Sequence, residues 1–196
     1  DDYSFEYVWR GLAMENINSR ILIPVHGGKF IDDFNARDFE NFDAIILHNY
    51  SYHNKDKAFR MLSEYVKKGG KLFIDTGGEV VDSNSDSLAE IFPFDKSERK
   101  ELQKDWNLEK AQDALTYGVD FTTFGPPIFN ENPWKFSYPT EDSSLRDGAK
   151  VVLKNHGKPV FITMEYGNGK VIWSGMNLLY HINQNPIAAE AKFFKN

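Results

Sequence analysis

Two short runs, Ala44 to Leu47 and Lys71 to Ile74, the second apolar from Leu72 onward, flank a segment whose apolar residues Ala58, Phe59, Leu62, Tyr65 and Val66 recur at helical spacing. Uninterrupted apolar runs of this length suit strands buried on both faces, and a helix between two such strands predicts a right-handed parallel crossover. Asn54 is placed to cap the helix, Lys67 and Lys68 suit the negative end of its dipole, and Gly69 suits a left-handed stop. This unit dictates an α/β class with a parallel sheet at its core.

The rest of the chain is read around that unit. Phe5, Val8, Trp9, Leu12, Ala13 and Ile17 predict a helix over 5–17, although Tyr3, Phe5, Tyr7 and Trp9 also alternate as a strand would, and Arg20 to Val25 predicts a strand ending at His26-Gly27-Gly28. Ser87-Leu88-Ala89-Glu90 has the form of a capping box opening a short helix. From Pro93 to Gly148 the pattern weakens into a long excursion, with a helix predicted from Leu108 to Tyr117 closed by Gly118. Trp134, Phe136 and Tyr138 alternate there, as rings pinned onto a core or stacked on a sugar would; core packing is favoured. Three further strands are predicted at Ala149 to Leu153, Pro159 to Tyr166 and Lys170 to Ser174, joined through Asn155-His156-Gly157 and a hairpin turn at Asn168-Gly169. Asn185-Pro186 predicts the start of a closing helix through Phe193.

Composition narrows the chemistry. A chain of 196 residues fits one domain, long enough to bury roughly 70% of its unfolded surface without a staple. It contains no cysteine, which excludes thiol catalysis, disulfides and thiolate metal sites. The formal net charge of −6, with acidic residues scattered along the chain, argues against a nucleic-acid partner. No apolar run approaches the ~20 residues that span a bilayer.

Asn41 to Leu47, Leu62 to Ile74 and Gly169 to Asn177, taken in that order, resemble the class I glutamine amidotransferase-like superfamily. The resemblance implies a flavodoxin-like three-layer sandwich with a mostly parallel sheet and an antiparallel hairpin near the C-terminus, formed by residues 1–196 as a single domain. Trp173 to His181 and the long excursion resemble soluble portions of large prokaryotic membrane proteins labelled 6-pyruvoyl-tetrahydropterin synthase-related. That likeness, with a start lacking Met and an end inside a helical segment, implies an extracytoplasmic piece of a longer membrane-anchored protein, attached through segments outside this chain; a cytoplasmic protein is the alternative. A sheet strand lost to truncation would leave an edge that favours self-association.

Active members of that superfamily carry a Cys on the turn after a strand and a His-x-Glu after the last strand. Here the matching places hold Asp75-Thr76-Gly77-Gly78 and Ser174-Gly175-Met176-Asn177, so no catalytic residue is assigned. Ligands of open parallel sheets bind at the carboxyl ends of the strands. The candidate ligand-binding residues are therefore His48, Asn49, Tyr50, Asp75, Thr76, Gly77, Gly78, Glu79 and Asn177, beside His26 and Gly27. Two readings stay open for them: a crevice for a small molecule or carbohydrate, or strand ends that only satisfy backbone groups. Gly77-Gly78 suits an anion-binding nest or a plain turn. His26, Asp32, His48, His53 and Asp75 lack the spacing of a metal site, and neither metal nor cofactor is expected. These features predict a non-catalytic binding or scaffold domain; the alternative is a sugar- or small-metabolite-acting hydrolase or isomerase using the crevice carboxylates and His48.

Overall fold

A computed structural model describes residues 25, 27–101, 107–124, 128–129, 132–133, 135–184 and 188–196. The helix expected over 5–17, residues 20–24 of the strand expected from Arg20 to Val25, His26, Trp134 and the cap at Asn185-Pro186 lie outside the described residues. The protein is of the α/β class.

Its main sheet draws on β1 (Ala44–His48), β2 (Lys71–Asp75), β4 (Leu108–Lys110), β8 (Ala149–Asn155), β9 (Lys158–Tyr166) and β10 (Gly169–Ser174), in the spatial order β1-β2-β10-β9-β8-β4. A two-stranded antiparallel sheet pairs β3 (Ser97–Glu101) with β7 (Lys135–Pro139), and β5 (Ile128–Phe129) pairs with β6 (Asn132–Pro133). The described helices are the single turn α1 (Ala36–Phe39), then α2 (Lys55–Lys67), α3 (Leu178–Gln184) and α4 (Ala188–Lys195).

The crossover β1-α2-β2 forms as its sequence dictates. The Asn54 side chain accepts the Lys57 N–H at 2.9 Å, and Gly69 ends the helix at a φ of 115°. Ala58, Phe59, Met61, Leu62, Tyr65 and Val66 are buried against the sheet. Leu62 and Val66 are wholly enclosed, each worth about 1.5–3 kcal/mol of burial. Leu72, Ile74, Val171 and Trp173 point into this core. The alternate residues Phe73 and Ile172 face a second core with Phe136, Tyr138, Phe161, Ile182 and Phe193. Both faces of the sheet are therefore covered, and the side-chain period of two divides the strands between them.

The sheet differs from a mostly parallel one. Among the described residues β1-β2 and β2-β10 are parallel, whereas β10-β9, β9-β8 and β8-β4 are antiparallel. Two-residue turns cause this for β8-β9 and β9-β10, because they can only return a chain antiparallel to itself. His156 and Gly157 take φ values of 48° and 77°, as a type I′ turn requires. The expected hairpin near the C-terminus forms one residue early: Tyr166 pairs with Gly169, and Gly167, at a φ of 63°, leads the turn.

Two expected helices do not form. Leu108 to Lys110 is a strand on β8, and the Asp113 side chain takes the Leu115 N–H at 3.0 Å to start only the single turn Ala114–Thr116. After Ser85, the Ser85 hydroxyl donates to the Ser87 carbonyl at 3.0 Å, a local bond that competes with a helical start at Ser87. Phe136 and Tyr138 pack into the core, as expected of them. Among the described residues no helix is long and apolar enough to cross a membrane.

Candidate functional site

The register of the sheet sets His48 and Ser174 on either side of Asp75, in one row at the carboxyl ends of β1, β2 and β10. Asp75 is completely buried, and its two carboxylate oxygens accept the backbone N–H groups of Leu178 and Leu179, each at 3.0 Å. These are the first residues of α3, so a side chain from the neighbouring strand supplies that helix with its missing acceptors and a negative charge at its positive end. The same carboxylate lies 3.3 Å from His48 Nδ1, with the imidazole almost wholly enclosed.

The turn after β2 is similarly committed. The Thr76 N–H and hydroxyl both donate to the Ser174 carbonyl, at 2.7 and 3.1 Å. Gly77 N–H donates to Ser83 Oγ at 2.8 Å, and Gly78 N–H to the Lys135 carbonyl at 2.8 Å. The two glycine amides of the proposed nest thus have internal acceptors. Glycine is required at Gly77, where φ is 101° and a Cβ would lie 2.9 Å from the Gly175 carbonyl oxygen; Gly78 follows at a φ of 55°.

The remaining expected residues divide by exposure. Asn49 is exposed at a φ of 49°, and Asn177, at the same φ, is half-buried with its N–H on the Thr76 carbonyl at 2.7 Å. Asn177 Oδ1 is buried without a hydrogen-bond partner among the described residues. Glu79 is exposed and ion-paired with Lys135 at 3.0 Å and Arg99 at 2.7 Å; Lys135 foremost, then Arg99, hold its carboxyl below the usual range.

Tyr50 points inward and joins a group the sequence did not single out. Its hydroxyl donates to Asp82 at 2.8 Å, Tyr52 donates to the same carboxylate at 3.1 Å, and Lys55 Nζ stands 3.7 Å away. Asp82 is 1% exposed, and burial pushes its carboxyl above the usual range against the pull of Tyr50, Lys55 and Tyr52. Burial, then the Asp82 carboxylate, raises both phenols, and the charge of Asp75 adds to the effect on Tyr50. No sequence signal marks Asp82, which sits in the polar stretch Asp82 to Ser87 and reads as a surface loop.

The other candidates do not converge. Asp32 accepts the N–H groups of His53 and Asn54, each at 2.8 Å, while His53 stacks on Phe30 at 3.9 Å. No group of three or more His, Asp or Glu side chains suited to a metal occurs among the described residues. A second buried pair, His181 Nδ1 and Glu190 Oε2 at 2.6 Å, joins α3 to α4.

Residues 21–181 match one family, described as Domain of unknown function (DUF8560). The chain belongs to this family. Its fold is similar to that of the cytoplasmic protein STM3548 from Salmonella typhimurium, at 18% identity and a TM-score of 0.61, over 96% of this chain and 82% of that one. The cytoplasmic protein STM1381 from Salmonella typhimurium LT2 is similar at 17% identity and a TM-score of 0.57, over 97% and 80% of the two chains. A cold-adapted β-galactosidase from Rahnella sp. R3 matches 97% of this DUF8560 chain at 14% identity and a TM-score of 0.54, over only 26% of its own length. No curated protein matches.

Proposed function

We propose that this DUF8560 domain is a non-catalytic binding or scaffold domain of the glutamine amidotransferase-like, flavodoxin-like kind, taking a small molecule or carbohydrate at the carboxyl ends of β1, β2 and β10. One observation carries the reading. The groups that would do chemistry there are already used to hold the fold: Asp75 caps α3, the Thr76 hydroxyl serves Ser174, and the Gly77 and Gly78 amides serve Ser83 and Lys135. A nucleophile needs a base within reach, and an oxyanion needs unengaged donors. The absence of cysteine removes the superfamily's own nucleophile.

The parallel row β1-β2-β10, with α2 crossing between β1 and β2, supports the flavodoxin-like part of the reading. The β-galactosidase match supports a domain that works within a larger chain, because the fold occupies about a quarter of that protein. On this reading membrane attachment rests with segments outside this chain, the domain lies outside the cytoplasm, and any self-association runs through a sheet edge.

The alternative, a sugar- or metabolite-acting hydrolase or isomerase, draws on the His48–Asp75 contact at 3.3 Å. Incubating the purified domain with glutamine and with a panel of chromogenic glycosides separates the two. The binding reading expects no ammonia and no chromophore, with amide shifts near Asn49, Glu79 and Asn177 on adding neutral sugars. Turnover that His48→Ala abolishes would replace it with the hydrolase.

A further inference from the structure

The inner residues of the expected ligand crevice are enclosed in this structure. His48, Tyr50, Asp75 and Thr76 lie at the strand ends where a ligand would sit, yet Asp75 and Thr76 are completely enclosed and Tyr50 is 6% exposed. Beside them two chain segments meet: the exit from β1, carrying Tyr50 and Tyr52, and the 3-10 turn after β2, Val81–Ser83, carrying Asp82. Resting on the binding reading above, we propose that Asp82 is a strap that closes this crevice by accepting the Tyr50 and Tyr52 hydroxyls, and that ligand entry requires those two bonds to part.

Each wall also has an anchorage of its own. On the far side of the 3-10 turn, Ser97 Oγ donates to the Asp82 carbonyl at 2.9 Å and Ser137 Oγ to the Ser83 carbonyl at 2.9 Å, tying it to β3 and β7. The exit from β1 is tied instead to the segment before α1, through Ser51 N–H to the Lys29 carbonyl at 2.8 Å and Ile31 N–H to the Ser51 carbonyl at 3.0 Å. The Asp82 carboxylate, with its two phenols and the more distant Lys55, bridges the two walls, and Lys55 Nζ adds a second link by donating to the Ser87 carbonyl at 2.5 Å. Burial raises this carboxyl above the ordinary range, so the strap is made from a group whose enclosure is itself unfavourable, which suits a contact that opens. Low-stability contacts of this kind are where ligand-binding segments open.

The test is native-state amide exchange, which needs no ligand. The probes are the amides of Thr76, Gly77 and Asn177, whose acceptors are the Ser174 carbonyl, Ser83 Oγ and the Thr76 carbonyl at the same strand ends. Tyr50→Phe with Tyr52→Phe removes both hydroxyls and keeps both rings. The expected result is exchange at these three amides faster by about tenfold or more, the factor carried by a hydrogen bond to a charged group, with β9 amides unchanged. Tyr52→Phe alone, which removes the longer bond at the half-buried ring, is expected to give a smaller change in the same direction. Equal acceleration of β9 and the three probes, or no acceleration in either variant, would overturn the strap. A strap confirmed by exchange in a domain that binds none of the sugars would count against the binding reading alone.

Discussion

Replacing Asp75 by asparagine separates a carboxylate kept for the fold from one kept for a ligand. Asparagine retains one acceptor oxygen but presents an NH₂ group where the second oxygen stood, so one of the two bonds to Leu178 and Leu179 is lost. A hydrogen bond to a charged group is worth about 1.5–3 kcal/mol, and the charge at the helix N-terminus adds about 0.3–1 kcal/mol. Asp75→Asn is therefore expected to lose about 2–4 kcal/mol. With a urea m-value of about 2 kcal/mol/M, the denaturation midpoint falls by about 1–2 M at unchanged slope. Groups held for function at the expense of the fold behave in the opposite way, and their removal leaves stability level or raises it. A midpoint lowered by less than about 0.5 M, or raised, would refute the capping argument and return Asp75 to the ligand.

Asp82 gives a pH prediction. Its folded carboxyl is raised above the unfolded value, so its contribution to stability is greatest in acid and is lost as pH rises through the folded pKa, opposite in sign to paired carboxylates such as Glu79, which are lowered. Asp82→Asn removes the opposing contribution, so its unfolding free energy, followed by urea titration from pH 7 down to pH 3.5, is expected to fall more steeply than that of the parent; a shallower fall contradicts the assignment. Gly175→Ala is expected to destabilise by about 1–3 kcal/mol in the same assay, because its Cβ would lie 2.0 Å from the Ser137 carbonyl oxygen and 2.6 Å from the Trp173 ring. An unchanged midpoint there would mean that β7 and β10 separate freely.

The elements legible in the sequence are those with a local cause. The strand-helix-strand unit could be read because one amphipathic face, one capping asparagine and one glycine stop coincide within 31 residues, 44–74. The strands β8, β9 and β10 were legible from apolar runs between turn residues. The β3-β7 pair was not, because Ser-Glu-Arg-Lys-Glu in β3 has no apolar alternation and owes its strand to pairing with Lys135–Pro139. The short α3 escaped as well, since its N-terminal acceptor is Asp75, about a hundred positions earlier in the chain. The hairpin turn was misplaced by one residue because Gly167 and Gly169 are both glycines beside Asn168, and only the register of Tyr166 on Gly169 decides between them.

Much the same non-local logic governs the site. A carboxylate at the carboxyl end of a buried strand has two ways to satisfy itself: a ligand, or a helix that begins beside it. Proximity to the strand end, which is all the sequence reveals, is common to both. What decides for Asp75 is that the chain after β10 turns at once into α3, bringing the Leu178 and Leu179 amides onto its two oxygens. Asp82 is decided the other way round: nothing in its neighbourhood marks it, but two phenols from across the crevice make its burial tolerable. The strand-end carboxylate is therefore the fixed part of this site and the loop carboxylate the movable one, so variants aimed at ligand entry belong at Tyr50, Tyr52 and Asp82 while those aimed at folding belong at Asp75.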